Sequence, residues 1–135
     1  MSDKSFVDTN IWLYAFMEDE EKGNQALKVI TQQDILLSTQ VINEICINLL
    51  TKASYTEDEI AVVVKNLYSK YIVVTLNLNT ILTASSIRKR YNFSYWDSLI
   101  VASALESGCS ILFTEDMQHG QVIENTLTIK NPFIS

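Results

Sequence analysis

The chain has 135 residues, 47% of them hydrophobic, and a net charge of −6 from 10 Lys and Arg against 16 Asp and Glu. That length supports one domain over residues 1–135 with a core of its own, and that apolar content excludes a disordered chain. Three glycines and one proline argue against an all-β chain of many tight turns, and the acidity argues against holding nucleic acid through general positive charge.

Short β-branched runs alternate with longer helical ones. Ser5 to Val7 reads as a strand leading into Asp8, and Asn10 to Met17 as a helix crowded with Ile11, Leu13, Tyr14 and Phe16. Glu20 to Gln33 reads as a second helix, Ile35 to Ser38 as a strand, and Gln40 to Ala53 as a helix with Val41, Ile42, Ile45 and Leu49 on one stripe. Thr56-Glu57-Asp58-Glu59 is a capping box that opens a helix to about Lys70. Ile72 to Leu76 follows as a strand, then helices over Thr80 to Tyr91 and Ser94 to Glu106, the latter closed by Gly108. Ser110 to Phe113 is a strand, and Leu127 to Lys130 a last one. Strands separated by helices imply a parallel sheet with helices packed on it, an α/β sandwich.

No basic segment followed by an apolar one opens the chain, and no apolar run is long enough to span a membrane. Cys46 and Cys109 sit in apolar segments and read as two buried thiols. With one His and no CxxC, a zinc site is not expected. The composition is that of a cytoplasmic protein.

In an open α/β sheet, ligands bind beyond the carboxyl ends of the strands. Three acids fall at such strand ends or helix starts, and a fourth, Glu44, lies early in the helix after a strand. Asp8 ends the first strand and Asp116 follows the Ser110–Phe113 strand, with Glu115 beside it. Asp97 shares a helical face with Ile100, Val101 and Ala104, which helix-dipole stabilisation in the first turn does not explain. Glu44 lies at the edge of an apolar stripe. Singly, each has an ordinary explanation as a cap, a loop acid or a solvated side chain. If they converge, each pair repels by roughly 3 kcal/mol at about 5 Å and an effective dielectric near 20. That demands a cation or proton uptake. Oxygen donors without His or Cys point to Mg²⁺ or Mn²⁺, and such ions support phosphodiester hydrolysis.

The segments Phe6-Val7-Asp8-Thr9-Asn10, Ile42-Asn43-Glu44-Ile45, Tyr95-Trp96-Asp97-Ser98-Leu99-Ile100-Val101-Ala102-Ser103-Ala104 and Leu112-Phe113-Thr114-Glu115-Asp116-Met117-Gln118 resemble the PIN-domain ribonucleases. Within them, the chain looks most like the VapC-type toxins of toxin–antitoxin pairs. The resemblance spans almost the whole chain. It implies an α/β/α sandwich around a short parallel sheet and Mg²⁺- or Mn²⁺-dependent cleavage of RNA. It also implies a homodimer and a cognate antitoxin. Carried over by residue, Asp8 and Asp97 are the principal metal ligands, Glu44 and Asp116 complete the acidic quartet, and Asn10 and Thr114 orient ligands or waters. The family pattern places the last acid two residues after a Ser or Thr, which favours Asp116 over Glu115.

The expected reaction is in-line attack of water on the scissile phosphate, without a general-base His; His119, the only histidine, reads as a loop residue. Arg88-Lys89-Arg90 is the densest basic run and is followed by Tyr91, Phe93, Tyr95 and Trp96. Its cations could grip RNA phosphates while exposed aromatics stack on bases; equally, they could complement a helix dipole while the aromatics pack. Three other readings stay open. A phospho-acceptor receiver domain has a similar size and an acidic Mg²⁺ site, but the strands ending Leu37-Ser38-Thr39 and Val74-Thr75-Leu76 lack the phosphoacceptor Asp. A PIN nuclease of RNA processing and a non-catalytic PIN-like binding domain share the fold.

Overall fold

The computed structural model describes residues 3–134. The elements run β1 (Ser5–Val7), α1 (Thr9–Phe16), α2 (Gly23–Ile30), β2 (Ile35–Ser38), α3 (Thr39–Lys52), α4 (Glu57–Lys70), β3 (Ile72–Val74), α5 (Leu78–Arg90), α6 (Tyr95–Glu106), β4 (Ile111–Phe113), β5 (Val122–Ile123) and β6 (Leu127–Lys130). The sheet order is β3-β2-β1-β4-β6-β5. All neighbouring pairs are parallel except β5 with β6. The chain is a mixed α/β protein with a mostly parallel central sheet. Right-handed crossovers place α1–α4 on one face and α5–α6 on the other.

From β1 the chain adds β2 and then β3 on one side, then crosses to β4 on the other side of β1. The switch in direction therefore lies between β1 and β4, where such a sheet opens a crevice at its carboxyl edge. Both strands are covered on both faces, and Phe6, Val7, Leu36, Leu37 and Leu112 are buried with Ile11, Trp12, Ile45, Leu49 and Ile100 in one apolar cluster. A smaller cluster joins Ala84 of α5 to Leu99 and Ala102 of α6.

Helix starts follow local side-chain chemistry. Asp8 caps α1, Ser38 caps α3 and Ser94 caps α6, while Thr56–Glu59 and Asn77–Thr80 form full capping boxes on α4 and α5. Trp12 Nε1 donates to the carbonyl of Val7 at 3.0 Å, which ends the β1 ladder and lets the chain turn at Asp8. Gly108 sits at φ +75° just past α6, the left-handed position that a glycine closes at no steric cost.

Four expectations change. The second helix begins at Gly23 rather than Glu20, because Asp19 Oδ1 accepts from the N–H groups of Glu21 and Lys22 and holds 19–22 as a turn. The third strand stops at Val74, not Leu76. The sheet also gains an antiparallel edge strand, β5, joined to β6 through residues 124–126, where Glu124 and Asn125 have φ of 50° and 60°. That is the left-handed turn geometry suited to a hairpin, built without glycine. Cys46 is only half-buried, whereas Cys109 is buried and its thiol is pushed up to about 12 by burial.

Candidate active site

Four elements deliver the four acids to one small cleft of about 130 Å³, lined by Asp8, Glu44, Asp97 and Asp116 with Thr9, Asn10, Gln40, Asn48, Trp96 and Ile100. Asp8 stands at the end of β1, Asp116 just beyond β4, Glu44 on α3 and Asp97 in the first turn of α6. Because β1 and β4 are hydrogen-bonded neighbours, with Val7 opposite Phe113, the residues after each strand meet directly. Helix α6 runs back to the start of β4, so its N-terminus lies at the carboxyl edge of the sheet.

Each residue of the Asp8-Thr9-Asn10 run serves a different acid. The Asp8 carboxylate accepts from Thr9 N–H at 2.7 Å and from Thr114 Oγ1 at 2.8 Å. Thr9 Oγ1 donates to Glu44 Oε1 at 3.0 Å, and Asn10 Nδ2 donates to Asp116 Oδ2 at 3.0 Å. The Thr114 hydroxyl also accepts from Asp116 N–H at 3.2 Å, so one buried side chain orders both strand-end acids. Asp97 is placed differently: its N–H donates to Ser94 Oγ, the cap of α6, at 3.1 Å.

All four carboxyls are held above the usual carboxylate range, chiefly by burial. Asp8 is pushed up to about 6; burial outweighs the hydrogen bonds from Thr9 and Thr114, and the charges of Asp116 and Glu44 add to it. The Asp97 charge helps raise Glu44, and the Asp116 charge helps raise Asp97. Glu115 moves the other way. Burial would raise it, but hydrogen bonds from Lys22 and Tyr14 win and lower it. Its side chain pairs with Lys22, and Tyr14 OH donates to it at 2.6 Å. The two neighbouring acids thus have separate partners, and it is Asp116 that lines the cleft.

By donor chemistry the four carboxylates suit a hard divalent cation, with hydroxyl and amide side chains beside them and no His or Cys in the lining. Among the described residues, however, no three His, Cys, Asp or Glu side chains stand close enough to hold one ion. Binding one asks the carboxylates to draw together.

The residues of the basic run go to different places. Arg88 donates to Ser98 Oγ at 2.7 Å and lies 4.5 Å from the centre of the Tyr95 ring. Arg90 pairs with Glu124 at 2.5 Å on the side of the β5–β6 hairpin, and Lys89 is exposed. None of the three lines the cleft. His119 also lies outside it, accepting from Asn131 N–H at 3.0 Å.

The sequence reading gives no role to Gln40, Asn48 or Thr9. A signal was present: Gln40, Glu44 and Asn48 recur every four residues, a polar stripe on one side of a helix whose Val41, Ile45 and Leu49 form the buried side.

The family model that describes the PIN domain matches residues 5–124. The chain belongs to the PIN domain family. Solved PIN structures of several bacteria share its architecture. A toxin–antitoxin complex from Klebsiella pneumoniae aligns over 96% of this chain and 98% of its own, with a TM-score of 0.74 at 18% identity. The sarcin–ricin loop cleaving VapC toxin of Mycobacterium tuberculosis aligns over 81% and 87%, with a TM-score of 0.65 at 18% identity. A VapBC pair from Rickettsia felis, bound to a DNA fragment from its promoter, aligns over 94% and 98%, with a TM-score of 0.67 at 16% identity. At these identities the likeness is one of fold. A comparison with curated protein sequences gives no significant match.

Proposed function

We propose that this chain is a divalent-metal-dependent endoribonuclease, the toxin of a toxin–antitoxin pair. The observation that carries the reading is the convergence of Asp8, Glu44, Asp97 and Asp116, from four elements, at the switch point of a PIN sheet. Four partly buried carboxylates repel one another, a cost that a bound cation offsets. Asp8 and Asp97 would be the principal ligands of Mg²⁺ or Mn²⁺, with Glu44 and Asp116 completing the set. Such an ion supplies charge to the phosphate oxygens and makes water a better nucleophile.

The chain's own contribution is positioning. Thr114 and the Thr9 N–H fix both oxygens of Asp8, and each oxygen keeps acceptor capacity for a further partner. Thr9 and Asn10 hold Glu44 and Asp116 at set distances from it. Asp97, outside that network, brings its charge from the opposite helix layer. Arg88, Lys89 and Arg90 are proposed RNA-backbone contacts beyond the cleft, with Lys89 the one left exposed and without a drawn partner.

The toxin assignment draws on the fold neighbours, which include toxin–antitoxin complexes and a toxin that cleaves the sarcin–ricin loop. A cognate antitoxin would silence the cleft in the cytoplasm; no helix among the described residues is long and apolar enough to cross a membrane. A homodimer is the proposed assembly. Leu78, Ile81 and Leu82 expose an apolar stripe on α5 at the spacing of one helix face. The test is to sequence RNA ends after controlled expression of the wild type and of Asp8→Ala. Discrete new ends only with the wild type are expected; identical end profiles would sink the reading.

A further inference from the structure

Beside the acidic cleft lies a second, larger groove of about 540 Å³, lined by Thr39, Gln40, Asn43, Thr75, Leu76 and Leu99, with Glu44 and Trp96. Gln40, Glu44 and Trp96 line the cleft as well, so the two spaces share a wall. A ligand whose phosphate meets the acids can reach this groove with its neighbouring group.

The groove is apolar on one side and amide-lined on the other. Leu76, Leu99 and the indole of Trp96 give the apolar side. Trp96 is 63% exposed, which is unusual for a ring of that size next to a cleft. It is nevertheless held: Tyr95 meets it edge-on with centroids 5.2 Å apart, and Arg88 lies over the ring of Tyr95. On the other side, Gln40 Nε2 donates to the Trp96 carbonyl at 3.5 Å, which fixes its Oε1 as an acceptor. That oxygen is buried and has no hydrogen-bond partner. An orphaned acceptor carries the cost of a lost hydrogen bond, and a small rotation into the groove relieves it when a donor arrives there. Asn43 and the hydroxyls of Thr39 and Thr75 add further donors and acceptors.

We infer that this groove is a nucleobase site: it takes the base of the nucleotide adjoining the scissile phosphate, stacked on Trp96 and hydrogen-bonded to Gln40. A flat apolar ring with an edge of N–H donors and carbonyl acceptors meets both walls at once, which an aliphatic side chain does not. Stacking on Trp96 serves any base; the Gln40 edge selects among them. The inference rests on the nuclease reading, and the test separates the two.

The experiment uses the intrinsic fluorescence of the two tryptophans. Trp12 is fully buried and gives a constant background, so quenching reports Trp96. Asp97→Asn protein is titrated in Ca²⁺ with the hexaribonucleotides of A, C, G and U, and with an abasic ribose-phosphate hexamer. Base-bearing oligomers should quench and bind about tenfold more tightly than the abasic one. Adding Trp96→Leu should remove both the quench and the gain; Trp96→Phe should keep part of the gain. Gln40→Met should leave stacking in place and bring the four affinities close together. Equal affinity for abasic and base-bearing oligomers, or unchanged affinity in Trp96→Leu, overturns the base site; so does occupation of the groove by a protein segment with no base-dependent quench. If wild-type protein cuts no RNA yet the quench depends on bases, the nuclease reading fails and the base site stands. If wild-type protein cuts RNA while the base dependence is missing, the reverse holds.

Discussion

Glu115 and Asp116 are adjacent in sequence, similar in chemistry and opposite in physical state. Glu115 has a cation, Lys22, and a phenol, Tyr14, and its carboxyl is held below the usual range. Asp116 faces three other acids across the cleft and is held above that range by burial, with the Glu115 charge adding to it. One carboxylate is neutralised by the fold; the other is left for something the fold does not contain. A charge with an internal partner contributes to stability, and a charge among like charges costs stability. Tyr14 and Lys22 hold Glu115 toward the α1–α2 corner, while Asp116 lines the cleft.

The widest separation between the two is expected in activity. Asp116→Asn should lower RNA cleavage by on the order of 10²–10³-fold while the protein stays folded, whereas Glu115→Gln should leave most cleavage and lower the melting temperature. Equal losses of activity in the two variants would erase the distinction. Asp97→Asn belongs with Asp116→Asn, and full turnover by that variant would remove it from the site.

The next effect is in pH. Asp8 titrates at about 6 in the folded chain against 3.8 for an unperturbed aspartate. The folded protein therefore takes up a proton as the pH falls through about 6, before the unfolded chain does. Stability from this group is fully present below about pH 4 and is lost as the pH rises through 6, on the order of 3 kcal/mol in all. Denaturation of metal-free protein should accordingly show a gain on going from about pH 7 to about pH 5. Asp8→Asn should reduce it, leaving the smaller part due to Glu44, Asp97 and Asp116, and saturating Mg²⁺ should oppose it by favouring the ionised cluster. A stability that falls over that range in metal-free wild type would contradict the raised carboxyl.

Smaller again is Tyr14→Phe. It removes the hydrogen bond to Glu115 and should cost about 1 kcal/mol in chemical denaturation, with little change in cleavage. The smallest expected effect is at the basic run. Lys89→Glu should weaken RNA binding and reduce the slope of its salt dependence by about one. Arg90→Glu, in contrast, first breaks the pair with Glu124 and should show in the stability of the β5–β6 hairpin region.

The strands that build the crevice were legible because β1, β2 and β4 are short runs of apolar residues ending in a capping or acidic side chain. Asp8 could be placed from that ending alone, whereas choosing Asp116 over Glu115 took the family pattern. Asp97 could be placed from its helical face. What stayed hidden depends on contacts across elements. Which side of α3 meets α1 decides that Thr9 holds Glu44, and no local pattern contains that. Strand β5 has two residues and turns through Glu124–Asn125, a pair that carries no Gly to mark a left-handed turn. The basic run read as one patch, yet successive residues on a helix point about 100° apart, so Arg88 and Arg90 reach different neighbours.

The short hairpin at the sheet margin has a consequence for how the molecule meets others. A two-residue antiparallel strand closes one border, and three-residue β3 closes the other. Neither offers a row of main-chain groups long enough to template a further strand. Growth of the sheet from molecule to molecule is thereby blocked, so self-assembly and capture by a partner are left to helical surfaces. A concentrated solution of the chain should then stay free of aggregates seeded by its sheet.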